Sequence, residues 1–181
     1  NDNYDFLARM RMFLIHNQNP YIIPAGQVTD NLWFKYIQFP DEILYYGPLL
    51  TVFWSLIFKA INFTLLNSLL AIKILSALIN LFCGFLLYKI VKKIKSALVE
   101  ISLILYLWNP FILYETAGNG HNDIFMLGFF LLSLLLLLQR RFFSSLMFLT
   151  SAILIKFVFV IFLPVYLIRI FQKTKKKEFW L

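Results

Sequence analysis

Glu115, Asn119, His121, Asn122 and Asp123 fall within nine residues of this 181-residue sequence, in the stretch "ETAGNGHNDIF" between two long apolar runs. Gly118 and Gly120 let the backbone turn tightly or approach another group closely. His121 and Asp123, with Glu115 beside them, are suitable ligands for a metal or for the cation that accompanies a phosphate. Glu115, Asn119, His121 and Asn122 could instead meet the phosphate end of a substrate directly. A plainer alternative stays open, an external turn in which Asn122 or Asp123 caps the next helix and the histidine is satisfied locally.

Two more acids, Asp2 and Asp5, stand in "NDNYDF". An aspartate at the mouth of a membrane cavity can take a proton from an attacking hydroxyl if it lies within hydrogen-bond reach. As ordinary loop charges both would simply face water. Lys156 interrupts the apolar run "AILIKFVFVIFLP". An ionisable group there is costly and tends to face a cavity, a partner or a ligand, so Lys156 could bind an anionic phosphate, pair with an acid or snorkel.

The elements that must position these residues are apolar. The chain is 61% hydrophobic and 14% charged, with a mean hydropathy of +0.76, beyond the usage of soluble domains. Apolar runs such as 69–90 match the roughly 20 residues a helix needs to cross about 30 Å of hydrocarbon. The expected fold is therefore all-α, a multi-pass transmembrane helical bundle in the plasma membrane. A net charge of +8 could suggest nucleic acid, but the basic residues cluster at the ends of apolar runs and form no amphipathic face, so no nucleic-acid partner is expected. Cys83, the single cysteine, supports neither a disulfide framework nor a thiolate metal site.

Four parts follow along the chain. Residues 1–47 read as a long external loop carrying the first acidic motif, with Pro20, Pro24 and Pro40 breaking regular structure and Trp33, Tyr36, Tyr45 and Tyr46 suited to a membrane–water boundary. Residues 48–66 read as an interfacial or re-entrant helix. Residues 67–171 hold transmembrane helices over 69–90, 98–114 and 124–138, then two short helices that break near Lys156, with the second acidic loop at 115–123. Pro110 is expected to kink the helix that delivers that loop. Residues 172–181 read as a cytoplasmic basic turn and the start of a further apolar segment. The sequence begins with Asn and is read as a piece of a longer protein.

Charge fixes the orientation. "KIVKKIK" (89–95), "QRR" (139–141) and Arg169 with "QKTKKK" (172–177) carry eleven basic residues, whereas 1–47 and 115–123 carry three against seven acids. The positive-inside rule puts the first set in the cytoplasm. Both acidic loops can share the external face only if 48–66 does not cross the membrane. Lys59 in that stretch agrees, because a lysine at the bilayer centre costs about 3 kcal/mol whereas one on an interfacial helix can snorkel.

"NDNYDFLARMRMFLIHNQNPY", then "YYGPLL", an apolar span, a basic turn and "LWNPFILYETAGNGHND" together resemble the start of type C (GT-C) membrane glycosyltransferases. They are most similar to enzymes that use lipid-phosphate mannose, including the mannosyltransferase of glycosylphosphatidylinositol assembly and its prokaryotic relatives. In that resemblance Asp2 holds the place of a catalytic aspartate ahead of the "NPY" turn, and Asp123, with Glu115 and His121, supplies the second acidic motif. Where the family often has Asp-x-Asp, this chain has Asn1-Asp2-Asn3 and then Asp5, so either Asp2 or Asp5 could be the base. The resemblance implies transfer of mannose or another hexose from a polyprenyl-phosphate donor to an acceptor hydroxyl of a glycan or lipid, at an extracytoplasmic site in contact with the bilayer. A divalent cation, magnesium or manganese, or cationic side chains such as His121 and Lys156 would stabilise the leaving phosphate. The competing classes are a lipid or sugar transporter, which should place its ionisable residues near the bilayer midplane in repeated halves, and a non-catalytic membrane assembly subunit.

Overall fold

The computed structural model describes the backbone of residues 2–28 and 37–178 and the side chains of 3–28 and 37–172. Asp30, Trp33 and Tyr36 lie outside the described residues, as does the side chain of Asp2. Among the described residues the regular structure is all helical, without a strand.

The first departure from the sequence reading comes at once. What reads as loop begins with a helix, α1 (Asp2–Ile15), whose Phe6, Leu7, Ala8, Met10 and Met12 are buried. Its charged residues are turned to structural use. Arg9, 1% exposed, donates to the carbonyls of Phe39 (2.9 Å) and Glu42 (3.0 and 3.1 Å), and Asp5 accepts from the backbone N–H groups of Gln38 and Phe39. The polar segment after α1 is thereby tied to it, with a short 3-10 turn at Ala25–Gln27 and a bond from Leu44 N to the Pro20 carbonyl at 2.8 Å. Buried backbone groups need partners, and here a buried guanidinium and carboxylate supply them.

Helix α2 (Pro48–Ala60) starts on Gly47, with Pro48 in the first turn where its missing N–H costs nothing. Its 13 residues span only about 20 Å. A Cβ on Gly47 would stand 2.0 Å from the Leu154 carbonyl oxygen, so only glycine lets this turn lie against the following helices. Helix α3 (Leu65–Ile94, 30 residues) is capped by Thr64, whose side chain accepts from Asn67 N. Its small and polar residues, Ser68, Ser76, Asn80, Cys83 and Gly84, face inward, while Leu66, Leu70, Ile74, Leu78, Leu81 and Phe85 are exposed. Ile72, Leu86 and Ile90 are buried beside them, and the small inward residues let neighbouring backbones approach.

Helix α4 (Val99–Leu107) ends at Trp108, and α5 (Pro110–Leu113) restarts the chain on an Asn109 cap that accepts from Phe111 N and Ile112 N. The two arms meet at 51°, so the kink expected at Pro110 is present, one residue after the break it forces. Helix α6 (Asp123–Leu138) packs between α3 and α7 (Phe142–Ile155). Ser133 and Ser145, both fully buried, donate to each other's backbone carbonyls at 2.7 and 2.9 Å across the α6–α7 contact. Lys156 is extended (φ −154°, ψ 123°) and breaks α7 from a 3-10 segment, Phe157–Phe162, and α8 (Leu163–Glu178). The break expected near Lys156 is there. The basic run is helical to Glu178, where the sequence suggests a turn.

Among the described residues α3 is long and apolar enough to cross a membrane by itself, and the bent pair 96–107 and 110–118 would make a second span. Helices α2, α6 and α7 are apolar but shorter.

Candidate active site

After α5 the backbone widens into a π turn, Tyr114–Gly118, a geometry that is frequent at functional sites. The turn closes through Asn119 N to the Tyr114 carbonyl (2.7 Å) and His121 N to the Glu115 carbonyl (2.8 Å). Gly120 has φ +72°, and a Cβ there would lie 2.8 Å from Ile72 Cγ2. Both the left-handed backbone and the close pass over α3 require glycine.

One histidine–carboxylate contact and one lysine–carboxylate pair result. His121 Nε2 lies 3.0 Å from Glu115 Oε2. Lys156 Nζ reaches Asp123 Oδ1 at 2.9 Å and Oδ2 at 3.1 Å, and also sits 5.7 Å from the centre of the Tyr46 ring. Asp123 opens α6, where the helix dipole favours an anion. Residues 33 apart in sequence thus close the end of the bundle. Glu115, His121 and Asp123 line a cavity of about 550 Å³ together with Thr116 and a mostly apolar set that includes Tyr106, Ile112, Leu127 and Phe159. Its size falls within the roughly 300–1,000 Å³ of small-molecule sites.

The remaining residues chosen from the sequence divide. Asn122 is buried, and its amide oxygen accepts from Trp54 Nε1 at 2.9 Å. It braces the loop against α2 and makes no side-chain cap. Asn119 contributes its carbonyl, which accepts from Asn3 Nδ2. That bond docks the first turn of α1, one residue beyond Asp2, on the second acidic loop. Asp5, 3% exposed, has Oδ1 committed to Gln38 N (3.0 Å) and Phe39 N (2.9 Å), with Arg9 Nη1 3.8 Å away. Its place is in the scaffold of the polar segment.

Among the described residues no three His, Cys, Asp or Glu side chains converge, and a cation on Asp123 would have to displace the Lys156 ammonium.

Sequence reasoning missed Trp54, Asn3 and Arg9. Trp54 carries no signal in an apolar run, since only the fold reveals that its N–H meets Asn122. Arg9 has a visible clue in Asp5 four residues earlier on a helical spacing, hidden by treating 1–47 as loop. Tyr106 and Asn80, joined by a 2.7 Å bond from the phenol to the amide oxygen, could have been marked by the rule that polar groups within spans find partners.

No curated protein and no solved structure matches the chain. A family model described as "Alpha-(1->6)-mannopyranosyltransferase, N-terminal domain" matches residues 1–172. The chain thus belongs to this mannosyltransferase family, through its N-terminal domain.

Proposed function

We propose that this chain forms the donor-binding part of a multi-pass membrane mannosyltransferase of GT-C type, which moves mannose from a polyprenyl-phosphate donor to an acceptor hydroxyl on the extracytoplasmic face. The observation that carries the reading is the chemistry of the 550 Å³ cavity, mostly apolar in its lining but holding Glu115, His121 and Asp123. A polyprenyl chain partitions against apolar walls while its phosphate and sugar stay with the polar groups. Family membership supports mannosyl transfer, and the outward apolar and inward polar faces of α3 support a lipid environment.

In the reaction, the acceptor oxygen bonds to the anomeric carbon as the bond from that carbon to the phosphate oxygen breaks. The electron pair leaves with the phosphate, which passes from a diester with one negative charge to a monoester with more. The Lys156 ammonium, held beside the site by Asp123 and over Tyr46, supplies the charge that meets it, and His121, steadied by Glu115, can donate a hydrogen bond. The acceptor proton goes to Asp2, assigned as general base because α1 begins against the second acidic loop through Asn3, while Asp5 is buried with its Oδ1 bonded to backbone N–H groups. Helix α2, about 20 Å long, fits the role of an interfacial wall.

The reading is tested with the full-length protein in membranes and a panel of radiolabelled polyprenyl-phosphate sugars. Mannose should be transferred, and Asp2→Asn should lower kcat by about 100-fold or more. Transfer undiminished by both Asp2→Asn and Asp123→Asn would overturn the proposed roles.

A further inference from the structure

The end of α3 farthest from the acidic loop collects cations that no acid answers. Lys92 Nζ donates to the Tyr88 hydroxyl at 3.0 Å and lies 5.3 Å from the centre of its ring. Lys89 Nζ lies 5.9 Å from the same ring and 5.2 Å from that of Phe85. Two ammonium groups that repel each other are thus held beside one tyrosine. Among the described residues neither forms an ion pair with a carboxylate. The Tyr88 oxygen accepts from Lys92, so its own O–H is left to donate to a further acceptor.

The α6–α7 turn adds to this charge. Leu86 and Ile90 of α3 pack against Leu135 and Leu138 of α6, which brings the end of α3 with Lys89, Lys92 and the exposed Lys93 beside the turn that carries Arg140 and Arg141. Arg140 has φ +61°, the left-handed position after a helix that favours glycine. An arginine kept there adds a cation at the expense of a strained backbone.

Nearer the middle of the same helix pair lies an apolar groove of about 80 Å³, lined by Ile79, Phe82, Phe125, Phe129 and Leu132 around Gly128. A Cβ on Gly128 would meet Ile79 Cγ2 at 3.4 Å and Cys83 Sγ at 3.6 Å, so the glycine lets α6 pass close to α3 where the groove lies. Leu78, Phe82, Phe85, Lys89 and Lys92 recur at steps of four and three, which keeps them on one side of α3. Along that side the exposed residues change from apolar to cationic, and Phe82 and Lys89 are about 10 Å apart.

We infer that this side of α3, with the groove at Gly128, holds a phospholipid with an anionic headgroup. One acyl chain lies in the groove against Phe82, Phe129 and Leu132. The phosphate is met by the Lys89 and Lys92 ammonium groups and the Tyr88 hydroxyl, with Arg140 at the rim. A net negative headgroup relieves the repulsion between the lysines, whereas a zwitterionic one brings an ammonium of its own. In the orientation argued from charge, this lipid belongs to the cytoplasmic leaflet. It is distinct from the proposed mannose donor, because α6 separates Asp123 from this end by its 16 residues, about 24 Å.

The test titrates lipids into the full-length protein in a neutral detergent and reads bound lipid by native mass spectrometry. Dioleoylphosphatidylglycerol is compared with dioleoylphosphatidylcholine, which has the same chains on a zwitterionic head, and with glycerol phosphate, the anionic head without chains. The site predicts phosphatidylglycerol binding about 10-fold tighter than phosphatidylcholine and no retention of glycerol phosphate. The preference should vanish in Lys89→Gln with Lys92→Gln, with phosphatidylcholine bound as before. Equal binding of the two lipids, a preference that survives both substitutions, or glycerol phosphate bound as tightly as the lipid would each overturn the inference. If the double variant fails to accumulate, phosphatidylglycerol with a diazirine in its acyl chain decides the matter on wild-type protein. Adducts at Phe82, Phe129 or Leu132 are expected, and adducts found only elsewhere would remove the lipid from the groove. Each of these readouts is binding, so none depends on mannosyl transfer.

Discussion

Lys156 binds Asp123 through both carboxylate oxygens, at 2.9 and 3.1 Å, across the 33 residues that separate them. The contact ties the break between α7 and the 3-10 segment to the first turn of α6. It also fixes the local charge. An ammonium beside an anionic substrate helps only if a neighbour holds it in position, and the carboxylate does so while cancelling its charge in the resting site. In the proposed reaction the phosphate's extra charge, appearing as the sugar departs, would then meet a cation already oriented.

The first prediction follows from that pair. Lys156→Met should lower kcat by about 100-fold, the scale seen when one oriented donor to a developing charge is removed. Lys156→Arg should retain far more activity. The double variant Lys156→Met with Asp123→Asn should melt at a higher temperature than Lys156→Met alone, because no unpaired carboxylate remains, yet recover no transfer. Recovery of transfer in the double variant would make the pair purely structural.

A second prediction concerns the brace behind the loop. Trp54→Phe keeps an aromatic ring near Phe58 and Phe125, which the indole contacts at 5.1 and 5.6 Å between ring centres. It removes the indole N–H that donates to the buried Asn122 oxygen. An acceptor left without a partner costs about 1–3 kcal/mol. Thermal melting in detergent should show that loss, and the pair Trp54→Phe with Asn122→Leu should recover part of it.

Gly120 gives a third. Its φ of +72° and the 2.8 Å that would separate an added methyl from Ile72 put Gly120→Ala at a cost of about 1–3 kcal/mol. The damage should fall on the site, since the Asn3–Asn119 bond lies beside it. Transfer should drop more steeply than the melting temperature, whereas a matched change at Gly118, where a Cβ meets nothing closer than 3.5 Å, should be mild.

Much of this architecture is legible in the sequence, for identifiable reasons. Apolar runs, the Asn109–Pro110 break and the interruption at Lys156 are local signals, each set by hydropathy or by proline and lysine chemistry. The second acidic loop is legible because several polar residues gather between apolar stretches. Helix α1 is hidden because its burial depends on Arg9 and Asp5 serving distant carbonyls and N–H groups of 38–42. Asp5 reads as a candidate base in the sequence, which does not reveal that its Oδ1 accepts from Gln38 N and Phe39 N. The contacts of Asn122 with Trp54 and of Asn3 with Asn119 join residues 68 and 116 apart. No periodicity encodes such pairs.

The fourth prediction concerns topology. Cys83 is fully buried and should give little background to a membrane-impermeant maleimide. With right-side-out vesicles, Ile43→Cys, Ala60→Cys and Ala117→Cys should label without permeabilisation, whereas Arg140→Cys should need it. The first two flank α2, so labelling on opposite sides would make that helix a span and would part the acidic loops.

The most direct test of the donor cavity is photo-crosslinking. A polyprenyl-phosphate mannose analogue carrying a diazirine on its first isoprene unit is irradiated with the full-length protein in membranes, and the adducts are mapped by mass spectrometry. Adducts are expected at Phe111, Ile112, Leu127 and Phe159, reduced by Lys156→Met. Adducts confined to the outward face of α3, at Leu70, Ile74 or Leu78, would contradict that cavity as the donor site.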